Sequence, residues 1–149
     1  MVMMRTLITA MSLVFCQGVL VAAAADFRSA ADAAVVLYDA PSVKARKLYI
    51  VNRGYPLEVV VQVEGWLKVR DAAGALSWAE AKTLGNARSV LLKTAATVRQ
   101  KPAADAPVAF EAQRDLLLDL LEDATAGWLH VRHRDGTAGY VRAVDVWGG

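Results

Sequence analysis

Short apolar runs stopped by turn-forming residues recur along this chain. Val35-Val36-Leu37-Tyr38 ends at Asp39-Ala40-Pro41-Ser42, and Leu48-Tyr49-Ile50-Val51 ends at Asn52-Arg53-Gly54-Tyr55-Pro56. Each reads as a strand entering a turn. From Leu57 to Val63, Val59, Val61 and Val63 alternate with Glu58, Val60 and Gln62, the period of a strand with one buried face. Glu64-Gly65 turns the chain into Trp66–Arg70, and Asp71-Ala72-Ala73-Gly74 turns it into Leu76-Ser77-Trp78-Ala79. A single helical turn over 79–84 then ends at Gly85-Asn86, while 26–34, small and polar without a period, reads as a lead-in.

The meander occurs twice. Gly65-Trp66-Leu67-Lys68-Val69-Arg70 returns 62 residues later as Gly127-Trp128-Leu129-His130-Val131-Arg132. The register holds without a gap to Trp78 over Tyr140, giving each copy a Trp, a Val three later, a Gly eight later and an aromatic twelve later. Upstream, the same offset lays Leu48 over Phe110, Val59 over Leu121 and Val63 over Thr125, whereas Pro41 and Pro102 match only after a one-residue slip. A period this long indicates two whole small domains, since solenoid repeats are shorter and need three or more copies. The boundaries expected are 34–86 and 89–149.

Local pattern and repeat disagree in one place. Leu116, Leu117, Leu120 and Leu121 fall at helical spacing among Glu111, Arg114, Asp115 and Glu122, the pattern of an amphipathic helix over Phe110–Asp123. The aligned 57–63 is strongly strand-like, and tertiary context overrides helix propensity. A strand is therefore predicted.

Met1-Val2-Met3-Met4-Arg5, an apolar run through Cys16 and Val19–Val21, and the small-residue exit Ala22–Ala25 form the three parts of a secretory signal peptide over 1–25, with Asp26 as the mature start. Gln17-Gly18 leaves the run short of the roughly 20 residues a span needs, so no stable membrane span is expected after its removal. Phe15 before Cys16 argues against a lipid anchor. The remainder carries 16 cations and 15 acids, interleaved, which excludes a clustered phosphate-binding surface and hence nucleic acid. Cys16 leaves with the signal, so no disulfide framework is available.

Strand, Pro turn, long loop, Val-rich strand, Gly-Trp-Leu-Lys-Val, Gly hairpin and small residue followed by an aromatic resemble the bacterial SH3-like domain, in tandem, over about 34–85 and 95–147. The resemblance implies an all-β fold, two tandem small five-stranded SH3-like barrels after the signal peptide. It also implies a periplasmic or secreted, non-enzymatic module that binds peptidoglycan or extended cell-wall peptides. The alternative is a structural or adaptor protein whose barrels contact one another or a periplasmic protein.

If Leu67 and Val69 face the core, strand alternation turns Trp66 outward, and Trp128 likewise. By the same resemblance Tyr38 and Tyr55 join Trp66 at one aromatic edge, with an equivalent edge around Trp128. Such faces suit extended peptides and sugar rings. The other reading has both Trp residues covering the end of their own barrel or an inter-barrel contact. Trp78 and Tyr140 are expected in the core, and Trp147 is expected to close the second barrel or pack on the first. Ser77 in place of Gly139 and Ala73 in place of Asp135 predict a looser first hairpin. His130 and His133, three apart on a strand, point to opposite faces and make no metal site, reading as solvated or hairpin residues. Asp119, Glu122 and Asp123 read as a water-facing edge and not as catalytic carboxylates. No nucleophile elbow or phosphate loop is present, and no cofactor is expected.

Overall fold

The computed structural model describes residues 24–149, and over them strands form wherever an apolar run is bounded by a turn. All but the last two residues of the expected signal peptide lie outside the described residues. The first unit comprises β1 (Phe27–Ala30), β2 (Ala34–Tyr38), β3 (Lys47–Asn52), β4 (Pro56–Val63), β5 (Trp66–Arg70), β6 (Leu76–Glu80) and β7 (Leu84–Gly85). The second comprises β8 (Ser89–Leu92), β9 (Ala96–Arg99), β10 (Val108–Ala112), β11 (Leu117–Thr125), β12 (Trp128–Arg132), β13 (Ala138–Arg142) and β14 (Val146–Gly148). One-turn 3-10 helices, Ala81–Thr83 and Ala143–Asp145, stand before β7 and β14. Among the described residues, no helix is long and apolar enough to cross a membrane.

Both sheets have one topology: β3-β2-β6-β5-β4-β1-β7 and β10-β9-β13-β12-β11-β8-β14. The end strands β3 and β7, like β10 and β14, bond on one side only, so each unit is an open seven-stranded sheet rather than the closed five-stranded barrel expected. The added strands are short. One of them, β1, lies in the segment expected to be a lead-in, and it pairs with β4 and β7 while burying Ser29 and Ala30. The repeat carries this strand, because 27–30 lies 62 before the apolar Ser89–Leu92.

Phe110–Asp123 is not helical: it forms β10 and β11 around a turn at Asp115. Leu118 and Leu120 are buried and Leu121 is exposed, so pairing to β8 and β12 decides what the helical spacing alone would not. The pairing also corrects the offset. Tyr38 opposite Trp78 corresponds to Arg99 opposite Tyr140, and Tyr49 opposite Leu37 to Phe110 opposite Val98, which is an offset of 61. Thus Val59 corresponds to Leu120 and Leu48 to Ala109. The second copy is one residue shorter in the loop after β8 and recovers it as a register shift between Glu122 and Thr125 in β11. The proline slip in the sequence reports this deletion.

Each unit has its own core. Val35, Leu37, Leu57, Leu67, Val69 and Ala79 meet in the first, and Val90, Leu92, Val98, Leu118, Leu129, Val131 and Val141 in the second. Burial of each Leu or Val stabilises by about 1.5–3 kcal/mol. The units are joined through Trp147, whose ring meets Phe27 edge-on at 5.1 Å and whose Nε1 donates to the Pro56 carbonyl at 3.1 Å. Ser89 Oγ donates to the Gly54 carbonyl beside it. Of the two places expected for Trp147, it packs on the first unit.

Two outcomes follow from this packing. Trp147→Ala is expected to lose about 2–3 kcal/mol, less than a fully buried aromatic truncation because the ring is only half-buried, and to split one urea transition into two. Gly139→Ala would place a Cβ 2.7 Å from the Arg99 carbonyl oxygen and from Val98 Cγ1. It is expected to cost about 1–3 kcal/mol in urea denaturation, and a shift indistinguishable from zero would mean that β9 yields.

Candidate functional site

In β5, Leu67 and Val69 are buried, leaving Trp66, Lys68 and Arg70 on the outer face. The register with β6 sets Trp66 opposite Glu80, Lys68 opposite Trp78 and Arg70 opposite Leu76. Ser77 and Ala79 take the inward positions of β6. Trp78 therefore stands on the outer face beside Trp66, not in the core where it was expected. Lys68 Nζ lies 5.9 Å from the Trp78 ring centroid, within cation–π range. Tyr38, opposite Trp78 on β2, meets Trp66 edge-on at 5.5 Å. At 7% exposure Tyr38 braces Trp66 more than it offers surface. Val61 and Val63, 44% and 40% exposed opposite Lys68 and Trp66, extend the apolar face along β4.

Tyr55 lies elsewhere. Its hydroxyl accepts a long hydrogen bond (3.4 Å) from the Ala72 N–H in the β5–β6 hairpin, the end of β5 opposite Trp66. The expected grouping of Tyr38, Tyr55 and Trp66 is thus divided: the structure brings Tyr38 to Trp66 and holds Tyr55 at the far end, against the first core. Burial, with Asp71 and Asp115 nearby, raises the Tyr55 hydroxyl above its ordinary pKa, partly offset by the Ala72 hydrogen bond.

The second unit repeats the frame with other chemistry. Leu129 and Val131 face inward, and Trp128 stands half-buried on the outer face. Arg99 holds the Tyr38 place and donates to the Ala106 carbonyl at 3.0 Å, so among the described residues Trp128 has no aromatic ring packed on it as Trp66 does. The equivalent edge therefore keeps Trp128 and, at the Trp78 place, Tyr140, but has Arg99 in place of the bracing ring. His130 stacks on Tyr140 at 4.6 Å and 11°, with Glu122 Oε1 3.8 Å from its Nδ1, where the first unit has Lys68, Trp78 and Val61. Tyr140, like Trp78, is on the outer face because Gly139 is the inward residue. His130 is half-buried and not solvated; His133 belongs to the hairpin, its ring centroid 5.9 Å from that of Phe110. Asp119 pairs with Arg132 and Asp123 with Arg88, so the acidic residues of β11 answer separate cations.

The first hairpin is not looser than the second. Asp71 Oδ1 accepts from the Ala73 and Ala75 N–H groups, both at 2.9 Å, doing from the first turn position what Asp135 does in the second unit. Asp135 Oδ1 accepts from the Thr137 N–H at 2.8 Å and its Oδ2 lies 3.0 Å from His133 Nδ1.

Two segments of the chain, residues 31–85 and 93–148, match the family model for the bacterial SH3 domain. Together they cover most of the chain. It belongs to the bacterial SH3 domain family. No curated protein matches it. Among solved structures, it is similar to NlpC2 from Trichomonas vaginalis, at 14% identity and a TM-score of 0.39, over 81% of this chain and 46% of that one. It is also similar to NlpC1 from Trichomonas vaginalis, at 17% identity and a TM-score of 0.38, over 80% and 44%. A third is an NlpC/P60 family protein from Bacillus cereus ATCC 10987, at 16% identity and a TM-score of 0.38, over 83% and 56%. The chain spans about half the length of the structures it matches.

Of the outer-face residues in this tandem SH3 protein, sequence reasoning missed Trp78, Lys68 and Tyr140. The signal that finds them is the small inward residue before each aromatic, Ser77 and Gly139, which fixes the alternation of β6 and β13.

The Asp135 hairpin sets a pH test. Hydrogen bonding to the Thr137 backbone, with His133 and the Thr137 hydroxyl, lowers the carboxyl to about 2. A folded pKa below the unfolded value of about 3.9 contributes stability that is present above about pH 4 and is lost as pH falls through about 2. Asp135→Ala is expected to be less stable than the parent by a constant amount above pH 4, the two converging towards pH 2. Chemical denaturation across that range checks it, and a gap unchanged at pH 2 would remove the carboxylate from the account.

Proposed function

We propose that the chain is an exported, non-enzymatic binding module, with residues 1–25 as its signal, that engages cell-wall peptidoglycan or extended peptides in the periplasm. Bacterial SH3 domains are binding modules and not catalytic ones, typically of the cell wall. The observation that carries the reading is the outer face of the first unit, where Trp66 and Trp78 hold diagonal positions on β5 and β6, with Lys68 opposite Trp78 and Tyr38 against Trp66. Flat aromatic surface stacks on sugar rings and on extended peptides at little conformational cost, and the ammonium of Lys68 answers a peptide carboxylate. Trp66 remains the proposed contact, braced by Tyr38 and joined by Trp78 and Lys68. Trp128 has a lesser place, because its face carries Arg99 and Glu122 where the first has Tyr38 and Val61, and Tyr55 stands apart from the first face.

One observation favours the adaptor reading. Tyr49 and Ile50, 55% and 67% exposed, lie on the edge strand β3, whose side away from β2 offers backbone hydrogen bonds to another protein along with these apolar side chains. Among the described residues, the aromatic contact between the units is the one made by Trp147 with Phe27.

Retention on insoluble peptidoglycan tests the leading reading. Trp66→Ala and Trp78→Ala are each expected to weaken retention about tenfold, the loss of one stacked aromatic, while Trp128→Ala changes it little. No retention of the parent protein, or equal retention of all variants, overturns the assignment.

A further inference from the structure

Beside the Trp147 contact, a cavity of about 490 Å³ opens between the units. Its floor is the strand pair β8–β11, where Leu91 and Leu117 lie opposite one another, and its wall is Tyr55 and Ile50 of the first unit. Lys93 and Arg114 stand at its rim. Asp115 and Leu117 also line a neighbouring cavity of about 400 Å³ that continues to Arg53, Arg132 and Arg134. The two form one trough along the first half of β11.

Cations outnumber carboxylates in this trough, Asp71 beside Tyr55 included. Its lining carries five cations, Arg53, Lys93, Arg114, Arg132 and Arg134, against the carboxylates of Asp115 and Asp119. Asp119 is engaged by Arg132 at 3.2 Å, and Asp115 lies 3.8 Å from Arg114. Among the described residues, Arg53, Lys93 and Arg134 have no acidic partner within 4.0 Å. Asp115 also departs from the repeat: it has φ 66° where the corresponding residue of the first unit is Gly54, φ 85°. The second copy thus holds a carboxylate in the left-handed region, a conformation that costs a non-Gly residue energy and that Asp tolerates better than most.

We propose that this trough is a binding site distinct from the aromatic face, taking an extended anionic peptide along β11. Leu91, Leu117 and the Tyr55 ring cover its apolar parts. One carboxylate meets Lys93 and Arg114, and a second meets Arg53 and Arg134. The desolvated Tyr55 hydroxyl stays protonated and able to donate to a peptide carbonyl. The site needs both units, which gives the Trp147 contact a purpose beyond stability. It does not rest on the aromatic-face reading.

The test is NMR titration of the full two-unit protein with Ala-Glu-Ala-Glu bearing a free carboxyl terminus, and with the amidated Ala-Gln-Ala-Gln. The expected result is shifts at the Ala72, Ala73, Lys93 and Leu117 amides with the acidic peptide, and about tenfold weaker binding of the neutral one. Lys93→Glu combined with Arg134→Glu, both at exposed positions, should abolish the shifts, and Trp66→Ala should leave them unchanged. Absence of shifts, equal response to both peptides, shifts confined to the Trp66 and Trp78 face, or binding unaltered by the double reversal would each overturn the proposal. Loss of wall retention in Trp66→Ala with an intact titration, or the reverse, tells the two sites apart.

Discussion

Everything in this molecule depends on two inward residues in each central strand. Leu67 and Val69 in β5, and Leu129 and Val131 in β12, are buried against strands contributed from both ends of their unit. Because side chains alternate, committing these positions to the core commits Trp66, Lys68, Trp128 and His130 to the other face. A slip of one residue would exchange the two sets, burying a lysine and a histidine and exposing the valines. The apolar inward pair therefore fixes the core and the candidate surface together.

A sheet of this size closes only a small core, and a unit of some 60 residues buries about 60% of its unfolded surface. The contact between the units answers that limit. Trp147 adds an aromatic contact to Phe27 and a hydrogen bond to Pro56, linking the last strand of one unit to the first strands of the other. The strands that make this contact, β1 and β14, lie in or next to the pairs that the five-stranded expectation omitted.

The repeat made the fold legible, including the strand at Phe110–Asp123 that local spacing would have made a helix. It worked because two copies under the same packing constraint report on one another. What stayed hidden was non-local. The place of Tyr55 depends on the turn at Gly54 and the distant Ala72 hairpin, and neither is visible in a local period. Trp78 was assigned to the core because it is large and apolar, whereas the β5–β6 register puts Ser77 there. The hairpin around Ala73 looked weak because the wrong position was compared: Asp71, two residues earlier, supplies the carboxylate.

Comparison of the two outer faces separates what the fold requires from what it permits. Inward positions keep their character across the copies, as in Leu67 and Leu129, Val69 and Val131, and Leu37 and Val98. Outward positions keep the Trp of Trp66 and Trp128 and change around it. Tyr38 is replaced by Arg99, Val61 by Glu122, Lys68 by His130 and Trp78 by Tyr140. Each exchange alters charge, hydrogen bonding or aromatic size, yet none disturbs the sheet, since the backbone ladder and the inward residues suffice to hold it. The aromatic surface of the first unit is thus not a by-product of the fold. The second unit shows that the same sheet stands with Arg99 and Glu122 where the first has Tyr38 and Val61, so stability alone does not account for the wider apolar face of the first.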